Sequence, residues 1–150
     1  MAINKQPVFT TAPILVTTIY NPDVVDILSV PATYLTNNSR IFTSTDANGT
    51  LIERITVSCL GDPINNTLVS AKLVYLYLYD TTNDLWSLYD TATMPDTTVT
   101  NSTPNPEVEW VFTGGLILPT DFSIYIGTSV NARQADKFSV TLEGSTYTQV

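Results

Sequence analysis

The stretch AKLVYLYLYDTTNDLWSLYDTATM, residues 71–94, decides how the rest of the chain is read. Residues 72–80 are dense in Leu, Val and Tyr, side chains that suit a pleated, half-buried surface. Residues 85–93 form the return strand. Between them Thr81-Thr82-Asn83-Asp84 is a polar turn, because Asn and Asp bond their own backbone and tolerate left-handed geometry. The hairpin has two apolar faces. Val74, Leu76 and Leu78 point one way, and Leu73, Tyr75, Tyr77 and Tyr79 point the other. One face fills a core. The other needs a cover, either from its own chain or from a partner.

Working outward, residues 50–60 (TLIERITVSCL) alternate cleanly, with Ile55, Val57 and Cys59 on one side and Arg54, Thr56 and Ser58 on the other. Such alternation predicts a strand in a sheet with one wet face. Asp46-Ala47-Asn48-Gly49 before it is the sharpest turn signal in the chain. Residues 40–43 predict a short strand after the turn at Asn37-Asn38-Ser39. Further strands are predicted over 14–20, 107–113, 116–118, 122–130 and 137–143, and a last one over 146–149 after a turn at Gly144-Ser145. Residues 24–30 are apolar and fit a strand or a short helical turn, and residues 32–35 fit a short strand. Residues 61–67 and 131–136 read as connections. Gly114-Gly115 marks a bend or bulge. Residues 95–106 (PDTTVTNSTPNP) read as a polar surface loop. Short strands at regular spacing with turn chemistry between them predict an all-β fold: an antiparallel β-sandwich, jelly-roll-like. The domain spans residues 14–150. Residues 1–13, which bear Pro7 and Pro13, are expected to form an extended N-terminal arm.

Composition agrees with strands. The chain of 150 residues is only 13% charged, so its polarity comes from Thr, Ser and Asn. Net charge is −8, which repels nucleic acid, whose affinity for proteins rests on Lys and Arg meeting phosphates. There is no His, which removes Ser-His-Asp and Cys-His chemistry and most zinc sites. The single cysteine, Cys59, is expected to be a buried small hydrophobe. The opening MAINKQPVFTTAP has no apolar signal core, and no segment is long and apolar enough for a membrane span. No catalytic residue, cofactor or metal site is expected, and the chain is read as no enzyme. Glu107 and Glu109 read as a solvated face, and Asp80 and Asp84 as turn chemistry that a weak calcium site would share.

The expected partner-binding residues are Pro7, Val8 and Phe9 on the arm and Tyr75, Tyr77, Tyr79 and Trp86 on the hairpin. Aromatic side chains with one wet end suit a protein interface or carbohydrate stacking.

Residues 47–61 (ANGTLIERITVSCLG), 72–95 and 116–147 together resemble a recurring type of small tailed-bacteriophage virion protein. Its pattern is an Asn-Gly-like turn before a strand rich in Ile and Arg, then a Leu/Tyr strand ending in Asp. A tryptophan-bearing return strand follows, with a Leu-x-Leu-Pro turn near the end. The resemblance implies a β-sandwich that coats or reinforces a capsid, present in many copies and without enzyme activity. The expected function is therefore a virion structural protein, a capsid decoration (cement) protein, made in the host bacterial cytoplasm. Its partners would be the major capsid protein or other virion proteins, and further copies of itself in a homo-oligomer. A tail or head–tail connector subunit and a carbohydrate-binding module for a glycan are the alternatives.

Overall fold

The computed structural model describes residues 9–20, 23–24, 35–60, 68–69, 71–129 and 137–149. The expectations for 1–8, 25–34, 61–67 and 131–136, including the sites at Pro7 and Val8, lie outside the described residues.

Alternating apolar residues fold as strands throughout. In chain order these are β1 (Phe9–Tyr20), β2 (Asp23–Val24), β3 (Arg40–Thr43), β4 (Thr50–Leu60), β5 (Leu68–Val69) and β6 (Lys72–Asp80). Then come β7 (Leu85–Met94), β8 (Thr97–Thr98), β9 (Glu107–Leu118), β10 (Phe122–Thr128) and β11 (Lys137–Gln149). A 3₁₀ turn, Asn37–Ser39, precedes β3. The first sheet runs β1-β11-β4-β9. The second runs β2-β10-β6-β7, with β3 sharing the β2 edge of β10. The two pack face to face as a β-sandwich, and β5 pairs β8 in a small ribbon beside them. Set the short β2, β5 and β8 aside, and the pairing is nested. The first long strand pairs with the last, β3 with β10, β4 with β9, and β6 with β7.

The interior is built from the faces that the alternation marks. Ile55, Val57, Val140, Leu142 and Phe138 come from the first sheet, and Val74, Leu76, Ile124 and Ile126 from the second. All are fully buried, and each large aliphatic side chain among them contributes about 1.5–3 kcal/mol by leaving water. Cys59 lies among them as a buried thiol. Lys72 is also buried, its Nζ 3.9 Å from Cys59 Sγ and 5.8 Å from the centre of the Phe138 ring.

Three local readings change. The strand expected from residue 14 starts at Phe9, so Phe9 to Pro13 pair with β11 and do not form an arm. Pro13 is accommodated because β1 is an edge strand, where the missing N–H is tolerated. Gly144-Ser145 does not turn the chain. β11 runs straight through with a register shift after Glu143. Gly144 is needed there because a Cβ would sit 2.2 Å from the Leu51 carbonyl oxygen, closer than any side chain allows. The 95–106 loop is tethered as well as exposed. Val99 is buried in the core, and the Pro106 carbonyl accepts from the Cys59 N–H.

The glycine pair of β9 does form the expected bulge. Between the pairs Arg54↔Val111 and Ile52↔Leu116, β4 uses one residue, Glu53, and β9 uses residues 112–115. Gly114 and Gly115 both take positive φ, +82° and +81°. They differ in surroundings. A Cβ on Gly114 meets nothing, whereas one on Gly115 falls 2.1 Å from Leu51 Cδ1. Gly114→Ala is therefore expected to cost only the backbone strain, about 1–2 kcal/mol in urea unfolding. Gly115→Ala costs that and the clash, and Leu51→Ala in the same chain recovers part of the difference. Equal losses at both glycines would show that Leu51 moves freely aside.

Candidate functional site

The aromatic stripe of the hairpin lies on the outer face of the second sheet. Cross-strand register places Tyr125 of β10 beside Tyr77 of β6, and Tyr79 beside Trp86 of β7. Tyr79 stacks on Trp86 with ring centres 4.3 Å apart, and Tyr125 meets the Trp86 ring edge-on at 4.8 Å. Tyr77 and Tyr75 continue the array edge to face. Such contacts add to the burial of the rings.

The chain itself covers much of this face. Tyr75 and Tyr77 retain 3% and 2% of their surface, in a cluster with Leu35 and Tyr125. Neither presents a surface to a partner, and burial pushes the Tyr77 phenol upward, with Tyr75 adding to the effect. Tyr79 and Trp86 are half-buried and form the rim. Trp86 Nε1 is enclosed without a hydrogen-bond partner among the described residues, an unmet donor at the cluster edge. Phe9 lies in β1, apart from this group in the other sheet.

The turn beside the rim is closed by its own carboxylates. Asp80 Oδ1 accepts from the backbone N–H groups of Thr82 and Asn83, and Oδ2 accepts from Asn83 Nδ2 at 2.7 Å. Asp84, at φ 53°, accepts from the Tyr79 hydroxyl at 3.0 Å. Asp80 and Asp84 thus both accept hydrogen bonds within the hairpin.

A second region was not legible in the sequence. Register shifts between Leu76 and Tyr77 and leaves Tyr89 as an extra residue in β7. The bulge places Asp90 opposite the core residue Leu76, toward the mouth of the sandwich. There Trp110 Nε1 of β9 donates to Asp90 Oδ2 at 3.0 Å, joining the two sheets at their open edges. Tyr89 meets Phe112 edge-on at 5.8 Å. These residues and the Gly115 bulge line a shallow cleft of about 490 Å³. Its only sequence signal is Leu88-Tyr89-Asp90, which breaks the alternation of β7.

The third region is the outer face of the first sheet. Leu15, Glu143, Arg54 and Val111 form one cross-strand row. Arg54 Nε lies 3.5 Å from both Glu109 and Glu143 carboxylates, all half-exposed, so each pair contributes about 0–1 kcal/mol. Around this ionic centre stand four apolar side chains with most of their surface in solvent: Leu15 71%, Ile19 61%, Val111 62% and Ile117 64%. They occupy the two edge strands, β1 and β9. These are four of the exposed large apolar side chains among the described residues.

The rim titrates with opposite signs on its two sides. The hydrogen bond to Asp84, aided by burial, holds the Tyr79 phenol above its ordinary value of 10.0. The protonated form is favoured in the fold, so this stabilisation is complete below pH 10.0 and is lost as pH rises through the folded value. Asp84→Gly keeps the left-handed turn and removes the acceptor, and should return the Tyr79 titration toward 10.0 by NMR. Hydrogen bonds from Asn83, outweighing burial, hold the Asp80 carboxyl below 3.8. Its contribution is present above pH 3.8 and is lost as pH falls through the folded value, so Asn83→Ala should raise the acid midpoint of unfolding. Unchanged titrations in both variants would refute the assigned partners. In comparisons with known proteins, no family model matches the chain and no curated protein matches it.

Proposed function

We propose that this protein is a virion structural subunit, a capsid decoration protein that adheres to the phage head and stabilises it. The observation that carries the reading is the outer face of the first sheet. Four exposed apolar side chains on the edge strands flank the Arg54 ion pairs of a four-stranded sheet. Adhesion to a regular particle suits such a face, because modest contacts repeated over linked sites sum to firm retention. The nested order of the eight long strands supports reading the sandwich as a jelly roll, an architecture common to viral capsid proteins and lectins. That support is by architectural analogy. The resemblance over residues 47–61, 72–95 and 116–147 points the same way. Major capsid protein and neighbouring virion proteins are the proposed partners, and the virion the proposed location.

A second reading, carbohydrate binding, draws on one feature: the half-buried Tyr79–Trp86 stack. A platform of stacked rings suits a sugar. A head–tail connector would instead assemble as a ring of fixed stoichiometry.

The test uses Val111→Glu with Ile117→Glu, two exposed sites whose substitution leaves the core untouched. Cosedimentation with particles lacking the protein should fall about tenfold or more, equivalent to about 1.4 kcal/mol per decade. Removal of residues 1–8 tests the remaining arm in the same assay. Undiminished retention of the Glu variant would remove this face from the docking surface. Glycan-array binding lost in Trp86→Ala would favour the second reading.

A further inference from the structure

Every open sandwich must protect its edge strands, since unpaired N–H and C=O groups template association. Three of the edges described here carry such protection. The β9 edge is broken by the four-residue bulge and carries Glu107 and Glu109. The β7 edge carries the Tyr89 bulge and Asp90. The edge beyond β10 is made of the short β2 and β3, with Asp23 and Arg40. β1 differs. It is 12 residues long, FTTAPILVTTIY, without a charged side chain. Its register with β11 runs unbroken from Phe9 to Tyr20, and among the described residues it pairs on that one side only. Leu15 and Ile19 stand exposed along it.

We propose that β1 is an assembly edge that pairs antiparallel with β1 of a second copy of this chain, centred on Thr17. The two four-stranded sheets then become one continuous sheet across a two-fold axis. Charge selects this edge for self-association. Each copy carries −8, so copies repel, and β1 lets them meet without setting like charges face to face along the joined strands. Symmetry selects the register. Leu15 and Ile19 flank Thr17 by two residues each, so pairing about Thr17 sets Leu15 of one copy opposite Ile19 of the other, twice. Both exposed side chains gain a cross-strand partner. Pro13, which has no N–H to donate, falls just outside the paired residues 14–20. The inference does not rest on the virion reading, and its test contains no particle.

Sedimentation of the free full-length protein should give twice 16.4 kDa. Added salt should tighten the dimer, because it screens the repulsion between acidic copies. Thr17→Lys sets two ammonium groups opposite each other and should raise the dissociation constant about tenfold or more, with an unchanged circular dichroism spectrum. Directly opposed Cα atoms lie about 4.5–5.5 Å apart, within disulfide reach. Thr17→Cys should therefore cross-link copies in oxidised glutathione, reversibly with dithiothreitol, while Val111→Cys on β9 should not. A mass of 16.4 kDa at about 100 μM protein overturns the proposal. So does a dimer that Thr17→Lys leaves intact, or one cross-linked by Val111→Cys and not by Thr17→Cys.

Discussion

Both faces of β6 are buried, and the sandwich is organised by that constraint. Leu76 points into the space between the sheets, while Tyr75 and Tyr77, its neighbours along the strand, are sealed on the opposite side. A strand buried on two faces cannot sit at an edge, so β6 takes a central place between β10 and β7. Its outer face then needs a lid, to which Leu35 contributes. The result is an asymmetric molecule. The second sheet is closed over much of its outer surface. The first sheet is wet outside, and its apolar residues there are bare. The second sheet has used most of its aromatic stripe on itself.

Local alternation was enough to place β3, β4 and β6 with their observed bounds, since period-two burial is written in each strand's own residues. The inward set Ile55, Val57, Val74, Leu76, Phe138 and Val140 was legible for the same reason. Partnership was not. That β1 closes against β11 depends on contacts between opposite ends of the chain, which no local window contains. Gly144 looked like a turn residue and proved to be a close approach of Leu51, because glycine signals missing volume as well as freedom. At the candidate sites, sequence found the aromatic stripe and could not tell cover from surface. It missed the Trp110–Asp90 link because one bulge at Tyr89 redirects everything after it.

The two candidate recognition regions differ in what holds them. The Tyr79–Trp86 rim rests on stacked rings and on a turn closed by Asp80 and Asn83. The outer face of the first sheet rests on backbone ladders. Its ion pairs are too exposed to contribute much, so substitution of surface side chains there leaves the scaffold standing. A face of that kind can change its contacts through evolution at little cost to folding.

The nested order of strands also sets a timetable. At synthesis rates of about 5–20 residues per second, β1 emerges several seconds before β11 exists. Through that interval it has no partner on either side, and its uncharged, apolar residues are available to any neighbouring nascent strand. Contacts so distant in sequence form late and slowly. The β6–β7 hairpin, closed locally by the Asp80 turn, is free of that delay. Closure of the first sheet is therefore the late event of folding, and the longest exposure to misassembly belongs to the strand made first.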